Sequence, residues 1–188
     1  RDQHCITKVV AARDLQGLLE TRALWPGSVV VLDNTSPEDL SPILPDLYRS
    51  IRVNGTSLIV LGGRSAMGSG VTSSQWGDVG PQQNWTLPIV IRGHPPMEKF
   101  GSLSATMETK LLEGVDLQRI PVREIYPAEP APGSIIVVLT TSHPSHPVLV
   151  WWDLGKKRAK IITWCADSTS LLTSEDGRKL LANMVEFC

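Results

Sequence analysis

Phenylalanine and tyrosine are scarce in this chain, two of each against six tryptophans, so its large aromatic surface rests on a few indoles. Cysteine is scarce too: Cys5, Cys165 and Cys188 are far apart, odd in number and form no C-x-x-C pair. That pattern indicates neither a disulfide framework nor a cysteine zinc site. Among the four histidines, only His143 and His146 stand close, as His143-Pro-Ser-His146. No carboxylate or Cys lies nearby before Asp153, and the flanking prolines fit a loop between strands, so no metal is expected. Net charge is also missing, with 18 basic and 19 acidic residues leaving −1. Binding to nucleic acid or to an anionic membrane needs clustered Lys and Arg. The one basic cluster, Lys156-Lys157-Arg158 with Lys160, falls in a predicted hairpin turn, so neither partner is expected. No apolar run approaches the ~20 residues of a membrane helix. No signal-peptide core follows Arg1, and a start at Arg1 leads us to expect a piece of a longer protein, cytoplasmic by default.

What is present is an ordinary globular composition: 188 residues, 41% hydrophobic and 20% charged, enough for one domain with a proper core over residues 1–188. The run from Ser28 to Leu32 predicts a strand, and its continuous apolar character predicts burial on both faces of a parallel sheet. Asp33-Asn34-Thr35 ends it. Ahead of it, Leu15, Leu18, Leu19 and Leu24 are spaced for a short amphipathic helix starting near Asp14 and stopped at Trp25-Pro-Gly. Ile6 to Ala11 is a candidate strand. Ser41 reads as an N-cap with Pro42 at the first helical position. Leu44, Leu47, Tyr48 and Ile51 then recur on one face, and Gly55 stops the helix. A second strand, Ser57 to Leu61, completes a β-α-β unit whose strands are expected to be parallel neighbours.

Residues 63–104 differ in kind, rich in Gly, Ser, Pro and Gln, with Trp76, Trp85 and one short candidate strand, Leu87 to Ile91. An irregular insert of that length points to function or motion. Further strands are predicted at Val122 to Tyr126 and Ser134 to Thr140, separated by a proline-rich turn. Val148 to Asp153 and Arg158 to Trp164 flank Leu154-Gly-Lys-Lys as a β-hairpin. A closing helix runs from about Ser174 to Phe187, with Leu180, Leu181, Met184 and Val185 inward. Trp151 and Trp152 adjoin on one strand and so point to opposite faces, one of them available to an interface, while Trp164 reads as core. The order predicts a three-layer α/β fold with a mostly parallel central sheet, a late β-hairpin and a C-terminal helix.

Two stretches carry a family resemblance. "VVVLDNTSPEDLSPILPDLYRSIRVNGTSLIVLGG" (residues 29–63) resembles the first β-α-β unit of class I glutamine amidotransferase-like domains, in the uncharacterised bacterial and trehalose-utilisation-like branch. "PVLVWWDLGKKRAKIITWCADST" (residues 147–169) is similar to that family's hairpin and the late strand after it. The resemblance implies a flavodoxin-like core. Active members place a Cys nucleophile on a strand-to-helix elbow and a His-x-Glu pair after a late strand; the His relays the proton and the carboxylate fixes its tautomer. Here Cys165 stands in the place of the His and Asp167 in that of the Glu, and no Cys follows an elbow strand. The resemblance therefore implies a domain without glutaminase activity.

The turn after the second strand, Gly62-Gly-Arg-Ser-Ala-Met-Gly-Ser-Gly70, admits three functional readings. Ser65 resembles the nucleophile of a G-x-S-x-G elbow, with Met67 where the second Gly belongs, and makes a hydrolase one alternative. Gly63-x-x-x-x-Gly68 begins a P-loop but lacks its Lys, leaving a nucleotide-binding domain as a second alternative. In the third, the carboxyl ends of the strands form a binding mouth from Asp33, Asn34, Arg64, Ser65 and Asp167, with Trp76 able to cover a sugar ring or an apolar patch. Against all three stands a purely structural account, in which the glycines permit the turn and Arg64 pairs with Asp33 or Asp167. No cofactor is implied. The expected partner is a small polar ligand or another protein, with a homo-oligomer left open.

Overall fold

The computed structural model describes residues 10–20, 24, 27–62, 110–121, 136–140, 147–153 and 159–188. Leu15, Leu18 and Leu19 lie in helix α1 (Ala12–Glu20), with Leu15 and Leu19 buried, whereas Leu24, read as part of the same helix, lies beyond its end and packs partly buried against the core. Strand β1 (Val29–Asp33), the one-turn helix α2 (Pro37–Leu40), helix α3 (Leu44–Asn54) and strand β2 (Ser57–Leu61) follow. A 3-10 turn (Leu117–Arg119) precedes β3 (Ile136–Thr140), β4 (Pro147–Asp153) and β5 (Lys160–Trp164). Helices α4 (Thr169–Thr173) and α5 (Glu175–Phe187) come last.

These strands form one mixed sheet in the order β1-β2-β5-β4-β3. The first three are parallel, as the β-α-β reading requires for β1 and β2. Strand β4 runs antiparallel to β5, as the hairpin reading requires, and also to β3. The α/β class, the parallel strands, the late hairpin and the closing helix are thus all present.

Alternation along the strands sorts the core into two clusters. Val30 and Leu32 of β1, Leu58 and Val60 of β2 and Ile161 of β5 pack with α1 and with Leu47 and Ile51 of α3. Ile59 and Leu61 of β2 and Ile162 and Trp164 of β5 pack with Leu111, Ile120, Leu171 of α4, and Leu180 and Met184 of α5. Leu181 and Val185 are partly buried against the same cluster, so the inward face read for the closing helix is the one observed. Each fully buried Leu or Ile contributes roughly 1.5–3 kcal/mol.

Strand β2 has parallel neighbours on both sides and every residue buried. Strand β1, for which burial on both faces is expected, is buried on one face only. Val30 and Leu32 are buried, but Val31 is 44% exposed and Asp33 is exposed. The exposed residues alternate with the buried ones, so the face carrying Val30 and Leu32 packs under α1 and α3, while on the opposite face of this edge strand only Val29 meets the second cluster among the described residues.

The start of α3 also differs. Two Ser-Pro pairs compete, and the first of them caps. The Asp39 N–H donates to Ser36 Oγ (3.2 Å), Ser36 Oγ donates to Asp39 Oδ2 (2.8 Å), and Pro37 opens α2. Ser41 and Pro42 lie in the turn between helices, which buries both Leu40 and Ile43. Helix α3 begins at Leu44 with Pro45 in its first turn and no side-chain cap at Ile43. Gly55 ends it as expected, and the buried hydroxyls of Ser50 and Thr56 pair at 2.8 Å beside it.

At the far end, α5 fastens the segment around residues 110–120. Asp176 Oδ1 accepts from the Asp116 N–H (2.9 Å), and Asn183 Nδ2 donates to the carbonyls of Leu111 (2.9 Å) and Glu113 (3.1 Å). Lys160, read as part of a solvated turn cluster, instead opens β5 and donates from Nζ to the Phe187 carbonyl at the end of α5. Its ammonium also lies 4.6 Å from the centre of the Phe187 ring. A cation at a helix C-terminus is favoured by the helix dipole. The other basic residues of that cluster lie outside the described residues, as do Ile6 to Val9, Leu87 to Ile91 and Val122 to Tyr126.

Candidate functional site

Because β1, β2 and β5 are parallel neighbours, their carboxyl ends meet along one edge. Asp33 and Asn34 end β1, Gly62 follows β2, and Cys165-Ala166-Asp167 follow β5. Asp33 and Asn34 are exposed. Asn34 has a φ of 46°, in the left-handed region that Asn tolerates better than most residues. Gly62 has a φ of 82°, and a Cβ built there would meet the Asn34 side chain only at an ordinary 3.8 Å. Backbone conformation, rather than crowding, calls for glycine at Gly62.

Both residues use up their backbone donors. The Asn34 N–H donates to the Leu61 carbonyl (3.1 Å) and the Gly62 N–H to the Trp164 carbonyl (3.2 Å). These bonds extend the ladder one step past each strand. Neither N–H is therefore available to an anion, although strand ends of this kind often supply such donors. Among the described residues, the side chains of Asp33 and Asn34 are what this part of the edge presents to solvent.

Asp167 is occupied by the chain's own turn. Its Oδ1 accepts from the Thr169 N–H (3.2 Å) and its Oδ2 from the Thr169 hydroxyl. Its carbonyl accepts from Trp164 Nε1 (3.3 Å), from the Ser170 N–H (3.1 Å) and from the Ser170 hydroxyl. This is an Asx turn leading into α4, made by the cluster Asp167-Ser-Thr-Ser170, and a run of such residues is itself a turn signal. Trp164 Nε1 also reaches Ser170 Oγ at 3.2 Å, tying the end of β5 to the helix after it. Trp164 and Ser170 thus support this edge, roles that no catalytic motif in the sequence signals.

Cys165 packs in the apolar cluster with residues of α1 and α3 and is fully buried. Burial pushes its thiol far above the ordinary thiol range. Among the described residues, its sulfur has the Thr163 carbonyl as hydrogen-bond partner, at 4.0 Å. A residue so enclosed neither attacks nor relays a proton at the edge. Cys188 is partly exposed, and burial pushes its thiol up to about 11, against the opposing pull of the Lys160 charge and the Ser57 hydroxyl.

These thiols give stability a definite pH dependence. Below the ordinary thiol value of 9.0 they are protonated in both folded and unfolded chains, and their contribution is fully present. Above it the unfolded chain releases protons that the folded chain retains, so stability falls as pH rises towards the folded values, by about 1.4 kcal/mol per pH unit for each thiol. Urea unfolding at pH 8, 9 and 10 is expected to show this loss, with a shallower dependence in Cys165→Ala than in the parent. Equal dependence in the two proteins would refute the burial argument for Cys165.

Arg64, Ser65, Trp76 and the four histidines lie outside the described residues. Among the described residues, no group of three His, Cys, Asp or Glu side chains is placed to hold a metal ion, and no helix is long and apolar enough to cross a membrane. No family model, curated protein or solved structure matches the chain. The sheet and its edge define an α/β protein in which three parallel strands end side by side.

Proposed function

We propose that the chain is a glutamine amidotransferase-like domain of the three-layer, flavodoxin-like kind that has lost the catalytic Cys and His. It works by binding, as a module of a larger protein, and takes a small polar ligand or a protein partner at the carboxyl edge of its parallel strands. The supporting observation is the division of labour at that edge. Asp33 and Asn34 stand exposed at the end of β1, while Cys165, in the place the family resemblance reserves for histidine, is sealed in the core. With the Asn34 and Gly62 donors already used and a carboxylate exposed, this part of the edge suits hydroxyl or ammonium groups better than phosphate. The proposed site includes Arg64, Ser65 and Trp76.

The test is amide-resolved NMR titration with polyols, amino acids and nucleotides in turn. Shifts are expected to gather at Asp33, Asn34, Gly62, Ala166 and Asp167, and the double variant Asp33→Ala/Asn34→Ala is expected to weaken binding at least tenfold. Shifts that gather elsewhere, or binding that survives the double variant, would sink the proposal. Nucleotide binding at this edge would favour the nucleotide-binding alternative, and covalent labelling of Ser65 by a serine-directed reagent would favour the hydrolase. With glutamine as substrate, no release of ammonia is expected; release at an enzymatic rate would show that some other nucleophile serves.

A further inference from the structure

We draw no further inference here: the strongest candidate, the outer edge of strand β1 with its exposed Val31, is an apolar sheet edge without a partner strand among the described residues, and nothing in the structure shows what covers it.

Discussion

Gly177→Ala is expected to destabilise the protein by about 1–3 kcal/mol, the range for forcing an extra methyl into a packed core. Helix propensity alone argues for the opposite sign, because Ala is favoured over Gly inside a helix by roughly 1 kcal/mol. Crowding decides between them. A Cβ at Gly177 would lie 2.5 Å from the Leu171 carbonyl oxygen, 2.7 Å from Leu171 Cα and 2.7 Å from Ser174 Oγ. Two of these atoms belong to the backbone of α4 and cannot swing aside as a side-chain tip would. Helix α4 would have to back away from α5, or the Ser174 cap, which accepts from the Gly177 N–H at 2.9 Å, would have to break. Gly17 in α1 is the control: among the described residues nothing lies within 4 Å of a Cβ built there. Gly17→Ala is expected to stabilise by about 0.5–1 kcal/mol. Urea unfolding of both variants reads the two signs directly. A Gly177→Ala protein as stable as the parent would mean that α4 and α5 are not packed as described.

Trp164→Ala is expected to cost about 3–5 kcal/mol, the usual range for removing a buried Trp. The indole is fully buried in the cluster that joins β2 and β5 to α4 and α5. Its N–H also ties the end of β5 to Ser170 and to the Asp167 carbonyl. Trp164→Phe separates the two roles by keeping most of the apolar volume and deleting the donor. It is expected to lose about 0.5–1.5 kcal/mol, the net worth of the bond, because the Asp167 carbonyl keeps the Ser170 N–H and hydroxyl as donors. In its NMR spectrum the amides of Ala166 to Ser170 are expected to shift more than those of α3. A Trp164→Phe protein with the parent's stability and an unmoved Asp167 turn would show that the indole serves the core by volume alone.

Much of this architecture was legible along the chain. The unit from Val29 to Leu61, the hairpin of β4 and β5 and the closing helix all follow from periodicity and stop signals, which act over a few residues. The same local logic misplaced the start of α3, because Ser36-Pro37 and Ser41-Pro42 carry the same capping signal. The need to bury both Leu40 and Ile43 goes with a cap at the first and a turn at the second. For the candidate edge, the sequence located Asp33, Asn34 and Asp167 at strand ends but could not say what each was doing there. Asp167 proves to be bonded within its own turn, whereas Asp33 and Asn34 are open to solvent.

By itself, then, the sequence determined the β-α-β unit, the pair β4 and β5 and the closing helix, but not the short helices α2 and α4. Periodicity and stop signals rest on neighbours a few residues apart and need more than one turn to show. The tertiary structure alone decided that β1 lies outermost among the described strands with Val31 exposed, that Cys165 is enclosed beside α1 and α3, and that Gly177 has no room for a methyl. Each of these depends on which distant segments come to lie side by side, and strand order and helix packing are settled by burial summed over the whole core rather than by any local run of residues.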